Sequence, residues 1–349
     1  AQLPDDPFLL YATDGQSSER VAAPALPEPA AAGDQIVRAG DGRDLVGLYA
    51  AGPIYAGFAN SLGQRNWQTT HSFNFDWSLY RQGDKAVKSL YAGFKWDAAE
   101  FDRKMADAGE QLAALDHSPQ TIQPGRYRVY MTPAALADLV GLLSWGGFGL
   151  KAQKTKQTTL IRMLEGAARL SAAVHLTENT RDGVAPNFQE QGFLRPEVIP
   201  LIDGGGLGQC LVSPRSSKEY GVPTNGANAY ETPQSLDMSG GNLPIADVLA
   251  QLDTGVYVSN LHYLNYSDRN ACRATGMTRF ATFWVQGGRI QGPLNVMRFD
   301  ETIYRALGEN LAALTRETEL ILESGTYFQR STGSIRVPGA LIEDFAFTL

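Results

Sequence analysis

Apolar residues recur along this chain with two periods, every second residue and every third or fourth. The densest extended signal lies in residues 255–299, GVYVSNLHYLNYSDRNACRATGMTRFATFWVQGGRIQGPLNVMRF. Across 255–266, Val256, Val258, Leu261 and Leu264 are interleaved with tyrosines and polar residues, as in a half-buried strand. Ser267-Asp268-Arg269-Asn270 is a polar turn cluster. A second run, 278–286, meets a third, 289–299, across Gly287-Gly288. Paired glycines suit a tight hairpin because both central residues can take positive φ. The stretch predicts a β-meander.

The rest of the chain alternates between the two periods. Leu45-Val46-Gly47-Leu48-Tyr49-Ala50 and residues 69–77 read as antiparallel strands, and Ser72-Phe73-Asn74-Phe75-Asp76-Trp77 alternates polar with aromatic. Residues 96–117 form the clearest helix, capped by Asp97, with Phe101, Met105, Ala108, Leu112 and Leu115 on one face. After Pro124-Gly125 a strand is expected at 126–131. Thr132-Pro133 then supplies an N-cap and a first-turn proline for a helix reaching about Trp145. Leu136, Leu139, Val140 and Leu143 face inward, and Gly146-Gly147 ends the helix.

Further on, 151–159 (KAQKTKQTT) reads as a basic loop and 168–177 as a strand. Residues 178–244 are rich in Gly, Pro and Asn, with a short helical piece at 216–220; so long an irregular stretch serves a site or folds against a partner. Residues 245–252 predict a helix. So do 300–314, capped by Asp300 with Ile303, Leu307, Leu311 and Leu314 on one side, and the tail 331–349 carries another strand. The expected fold class is α+β: an extended arm over 1–34, a strand–helix region over 35–123, and a larger domain over 124–349 built on antiparallel sheet.

Composition narrows the function. The chain has 349 residues, 43% hydrophobic and 19% charged, enough for a sizeable core. A net charge of −7 argues against a whole-surface nucleic-acid binder. No apolar run of 18 residues and no signal-like start point to a membrane. Cys210 and Cys272 belong to no CxxC pair and fit a reducing, cytoplasmic setting. His71, His117, His175 and His262 are scattered singly, and on a strand His175 and Glu178 would point to opposite faces, a poor ligand pair. Ser213-Pro214-Arg215-Ser216-Ser217 reads as surface hydroxyls in a turn. Asp203-Gly204-Gly205-Gly206-Leu207-Gly208 reads as a glycine-rich turn and not a phosphate loop. The residues assign this chain no catalytic group and no metal ligand.

The most suggestive set is polar and aromatic. Asn260, His262, Tyr263, Asn265 and Tyr266 lie on the first meander run; Arg273, Thr275, Thr278 and Arg279 follow. Such side chains on a strand can grip an extended peptide by edge pairing plus side-chain hydrogen bonds. The same residues also fit an ordinary sheet with tyrosine hydroxyls at its rim. From this set, Asn260, Tyr263, Asn265, Tyr266, Arg273, Thr275 and Arg279 are the substrate-binding candidates.

The meander also carries a resemblance. Gly255-Val256-Tyr257-Val258, Thr275-Gly276, Phe283-Trp284-Val285, Gly288-Arg289-Ile290 and Pro293 follow the order of the C-terminal domain of the TldD/PmbA family, also described as modulators of DNA gyrase. Upstream, Ala59-Asn60-Ser61-Leu62-Gly63, the strand from Arg126 into Thr132-Pro133, Arg195-Pro196 and Leu201-Ile202-Asp203-Gly204-Gly205 resemble further family segments, so the likeness runs from about Gly42 to the end. The resemblance implies a further α/β segment ahead of Ala1, so the chain is expected to begin inside a longer protein. Catalytic members carry a His-Glu-x-x-x-His helix whose place here is residues 142–155. That stretch, LLSWGGFGLKAQKT, has no His, Glu or Cys.

The implied role is a non-catalytic TldE/PmbA-like subunit of a heteromeric metalloprotease. A TldD-like partner would bear the zinc, and this chain would help to bind unfolded or modified peptides, including precursor peptides of natural products. A homodimer is compatible with the same sequence. Two alternatives stand beside it: an independent hydrolase or peptide-modifying enzyme with a site around 263–279, and a peptide-binding scaffold without a proteolytic partner.

Overall fold

A computed structural model describes residues 5–81, 83 and 85–349. Residues 1–4 of the expected arm, and 82 and 84 of the following region, lie outside the described residues. The rest of the arm contains strand β1 (Glu19–Val21) and the start of helix α1 (Pro29–Gly40), which crosses the expected boundary at 34. Proline fits the first turn of α1 because its missing N–H would have had no helical partner.

Strands β2 (Asp44–Ala59) and β3 (Arg65–Tyr80) pair antiparallel along their full length. β1 and β4 (Ala86–Gly93) flank β3 in a four-stranded sheet. Helix α2 (Ala98–Ala114) lies on this sheet, its first turn capped by Asp97, whose carboxylate accepts from the Ala99 and Glu100 amides. The aromatic alternation of β3 decides what it packs against: Phe73, Phe75, Trp77 and Leu79 meet Phe101, Met105 and Ala108 of α2. The opposite, polar face of β3 is buried as well. Gln68 donates to the Val184 carbonyl at 3.0 Å, and Arg330 donates to the Ser72 carbonyl at 3.0 Å.

The larger unit opens with β5 (Gly125–Met131), α3 (Pro133–Gly141) and a 3-10 turn at Leu142–Ser144. Short helices α4 (Leu150–Lys154) and α5 (Ile161–Leu164) come next, then β6 (Leu176–Asn179), β7 (Val198–Asp203) and β8 (Gly206–Leu207). Helix α6 (Pro214–Tyr220), β9 (Ser235–Met238) and α7 (Val248–Leu252) lead into the long strands. These are β10 (Gly255–Asp268), β11 (Arg273–Gln286), β12 (Arg289–Pro293), β13 (Arg298–Thr302), β14 (Leu311–Leu322) and β15 (Ser334–Phe347).

The strand order is β12-β11-β10-β5-β15-β9-β6-β7-β8, with β13 joining β11 to β15 and β14 paired on β15. The fold is α+β and sheet-rich. The sheet is mixed and not purely antiparallel, because β5 runs parallel to β10 and β9 runs parallel to β15. Leu136, Leu139, Val140 and Leu143 drive α3 and its turn into the core with Val129, Val256, Ile342 and Phe345. The first sheet's core continues into the second unit through Ala281 and Phe283 of β11.

Several local expectations change. Residues 300–314 are not a helix. Asp300 lies in β13 and pairs with Arg273 at 3.2 Å, Ile303 and Leu307 are buried about a π-helical turn at Arg305–Glu309, and Leu311 and Leu314 belong to β14. Ladder pairing of β13 and β14 with β15 overrides the helical spacing. The loop expected at 151–159 begins as α4, whose Lys151 amide is taken by the distant Glu231 carboxylate at 2.8 Å. The strand expected at 168–177 is confined to β6, and the backbone before it bonds elsewhere, Leu170 N–H to the Gly205 carbonyl and Ser171 N–H to the Leu307 carbonyl. The third meander run divides into β12 and β13, and β11 starts five residues earlier than expected, at Arg273. Ser213, Ser216 and Ser217 are buried and not surface hydroxyls; Ser213 caps α6 and donates to Glu231 at 3.0 Å.

Candidate functional site

The site begins where β5 ends. Pairing of β5 with β10 stops at Val258. Thr132 then donates its amide to the Val258 carbonyl at 3.1 Å and its hydroxyl to the Ser259 carbonyl at 2.6 Å, while the same hydroxyl accepts from the Ala135 amide at 3.3 Å. One side chain thus closes the strand pair, caps α3 and turns the helix alongside β10. Beyond Ser259, β10 pairs with β11 alone among the described residues. Its other edge faces a groove of 420 Å³ lined by Ala137, Asp138, Gly141, Leu142 and Trp145 on one side and residues 261–264 on the other. Small side chains at 137 and 141 keep the helix wall low.

β10 is irregular here. Its register against β11 shifts between Val258 and Asn260, between His262 and Asn265, and between Tyr266 and Asp268. Tyr263 takes φ +58, a left-handed conformation that costs about 1 kcal/mol for a non-glycine residue. The bulge turns Tyr263 outward, 80% exposed, at the lip of the groove. At the far end Tyr266 donates its hydroxyl to the Leu142 carbonyl at 2.8 Å, and Arg269 donates to the Trp145 carbonyl at 3.0 Å while lying over the Tyr266 ring.

A separate cleft of 480 Å³ lies between α2, β4 and the second unit. Pro133, Ala134, Tyr257 and Ser259 line that cleft, one helical turn before Ala137 and Asp138. Lys104 and Glu319 pair across it at 2.9 Å. Desolvation raises the Tyr130 and Tyr257 hydroxyls well above their ordinary range, so at neutral pH both are neutral donors. Asp138 lines the groove and not the cleft. Its side chain reaches solvent, yet the protein around it withdraws enough water to push its pKa up to about 6; the Leu261 amide and the charge of Lys88 offset part of that rise.

Of the seven candidates read from the sequence, Tyr263 is the one that lines the groove among the described residues. Tyr266 closes its end. Asn265 is exposed and accepts from the Tyr266 amide at 2.8 Å. Asn260 is buried and accepts from the Ser259 hydroxyl at 2.9 Å. Arg273 faces Asp300, and the Thr275 hydroxyl donates to the Phe299 carbonyl at 3.0 Å, both toward β13. Arg279 is exposed over the Phe280 ring. Asp138 and Trp145 were not singled out from sequence. The available signal was the outward stripe of α3 and its turn, Ala134, Asp138, Gly141 and Trp145, small residues flanking one acid and one tryptophan.

Residues 142–155 offer no imidazole, thiolate or carboxylate, so they do not fit a zinc ion. Among the described residues no group of three or more His, Cys, Asp or Glu side chains comes together as a metal site. His175 pairs with Asp203 at 2.9 Å on the surface, while Glu178 is buried with Arg195. Among the described residues no helix is long and apolar enough to cross a membrane.

A sheet-rich α+β unit with an open strand edge facing a helix-walled groove defines the class of protein. Residues 124–349 match the PmbA/TldA metallopeptidase C-terminal domain, and the chain belongs to that family. Three solved structures share the fold. TldE from Thermococcus kodakarensis superposes with a TM-score of 0.76 at 14% identity, covering 100% of this chain and 81% of that one. A Thermotoga maritima protein described as a candidate modulator of a DNA gyrase gives 0.73 at 14% identity, covering 92% and 75%. A Bacteroides thetaiotaomicron protein of the same description gives 0.68 at 17%, covering 99% and 78%. No curated protein matches the chain.

Proposed function

We propose that this chain is a non-catalytic, TldE/PmbA-like subunit of a heteromeric metalloprotease, and that it holds an extended stretch of an unfolded or modified peptide against β10. The observation that carries the proposal is the edge of β10 beyond Ser259, which has no strand partner among the described residues and is set over the groove beside α3. A peptide laid there would take main-chain hydrogen bonds from β10 and place alternate side chains in the groove. Amide hydrolysis needs an activated water or nucleophile, and residues 142–155 supply no zinc ligand for one. The chemistry therefore falls to a TldD-like partner carrying the zinc motif. The likeness to TldE supports the pairing through fold alone.

The test assays this chain, a TldD-like family member, and their mixture on a flexible peptide. Turnover is expected in the mixture and not with this chain by itself, and chelator abolishes it. Turnover by this chain alone that survives chelator overturns the subunit reading in favour of an independent enzyme.

A further inference from the structure

The groove carries a chemical bias that an open strand edge does not explain. Asp138 is the one formally charged side chain lining it among the described residues. Its ionised form is supported by the Leu261 amide and by Lys88 of β4, neither of which lines the groove as a cation. Two large, exposed aromatic residues line the same groove, Trp145 at 51% and Tyr263 at 80% exposure. Both are held in place. Trp145 is anchored through its carbonyl by Arg269 and packs edge-on to Tyr266 at 6.3 Å, and Tyr263 is turned outward by the left-handed bulge. A carboxylate that shares a groove with two exposed aromatic side chains favours a cation, which can gain an ion pair and cation–π contact together. An anion would meet the Asp138 charge, and a purely apolar group would take water from that carboxylate and offer it no further partner beyond the Leu261 amide.

We propose that the groove between α3 and β10 selects a lysine or arginine side chain of a bound extended peptide, with Asp138 as the ion-pair partner and Trp145 and Tyr263 as the walls. The proposal rests on the peptide-binding reading and names the side chain that the groove accepts. Other charged or titratable groups around it are His262 of β10, whose ring lies 6.0 Å from that of Tyr263, Lys88 of β4, and Arg269 at the far end. Arg269 is already committed to the Trp145 carbonyl and the Tyr266 face, which leaves the middle of the groove to the ligand.

The experiment uses the full chain and two matched sets of probes. Fluorescent flexible peptides differ at one central position, lysine or arginine against norleucine or citrulline. Butylguanidinium and butylammonium serve as side-chain probes without a peptide backbone, read by the indole N–H resonance of Trp145, assigned with Trp145→Phe. The basic peptides are expected to bind about tenfold tighter than their neutral matches. Asp138→Asn is expected to erase that difference, since a single lost charge pair accounts for the preference. The preference should also fade below about pH 6 as Asp138 takes up a proton.

Equal binding of basic and neutral peptides by the wild-type chain overturns this inference and leaves the peptide-binding reading standing. If no peptide binds, yet butylguanidinium shifts the Trp145 signal in wild type and not in Asp138→Asn, the cation site stands and the peptide reading falls. A Trp145 signal indifferent to both cations overturns the cation site.

Discussion

The Tyr266 hydroxyl donates to the Leu142 carbonyl across 2.8 Å, tying the β10–β11 hairpin to the turn that ends α3. With the Arg269 bond to the Trp145 carbonyl at 3.0 Å, it bridges the groove at its far end. The Leu142 carbonyl keeps a second donor, the Trp145 amide at 3.0 Å, so losing the tyrosine leaves no orphan acceptor. Tyr266→Phe should cost about 1 kcal/mol in denaturant unfolding, an ordinary hydrogen bond with ring packing retained. It should also speed amide exchange over residues 260–268. Unchanged exchange there would mean that packing and the Arg269 bond hold the hairpin without the tyrosine hydroxyl.

Much of the fold was legible because local signals and tertiary packing agreed. The Thr132-Pro133 start, the Asp97 cap and the strand alternation around Phe73 and Trp77 each name a structure their neighbours also require. Where tertiary pairing supplied the missing partner, the local pattern misled. Ile303, Leu307, Leu311 and Leu314 carry helical spacing, but every one packs against the sheet through a strand–turn–strand path. Lys151 begins a helix because Glu231, 80 residues away, accepts its amide. The site was half legible for the same reason. The tyrosines of β10 announced themselves by composition. Asp138 reads in sequence as one acid on a solvated helix face, and its significance arises when β10 is set opposite.

Arg195 and Glu178 form a buried ion pair, with both side chains almost wholly out of water. The carboxylate also accepts the Gln234 and Ser235 amides at 2.9 and 3.0 Å, which fastens β6 to the segment entering β9. This accounts physically for Arg195 within the Arg195-Pro196 step. Arg195→Met should cost about 3–5 kcal/mol because it strands a buried carboxylate. Pairing it with Glu178→Leu should cost less than the sum of the two single changes, as measured by urea unfolding of all four proteins. Additive costs would show that the two side chains act independently.

Gly255 opens β10 directly beside β5. A Cβ there would stand 2.2 Å from the Arg128 carbonyl oxygen and 3.0 Å from Leu252 Cδ1, and the backbone oxygen cannot move without breaking the β5–β10 pairing that starts at Val129 and Val256. Gly255→Ala should therefore destabilise by about 2–3 kcal/mol through overpacking. Gly33 in α1 is the contrast, because nothing lies within 4 Å of its added Cβ. Gly33→Ala should stabilise by about 0.5–1 kcal/mol. Thermal unfolding of both variants checks the pair, and a neutral Gly255→Ala would show that β5 and β10 can separate at no cost.

Asp138 makes stability itself depend on pH. Its carboxyl is pushed from 3.8 up to about 6, chiefly because the folded chain withdraws water from the charged form. The folded state holds the proton more firmly than the unfolded state. The favourable contribution is thus complete below about pH 3.8 and lost as pH rises through about 6, after which an ionised Asp138 is a net cost. Asp138→Asn removes that cost. Its Tm should exceed wild type at pH 7.5 and converge with it near pH 4. Because the carboxyl still reaches solvent, the gap should be modest, about 1–2 °C. Millimolar butylguanidinium should raise the wild-type Tm at pH 7.5 and leave the variant unmoved, because only the ionised carboxylate has a charge to share with it. Superimposable melting curves at both pH values, with and without the cation, would show that water reaches Asp138 freely, so that the carboxylate in this groove is an ordinary surface acid.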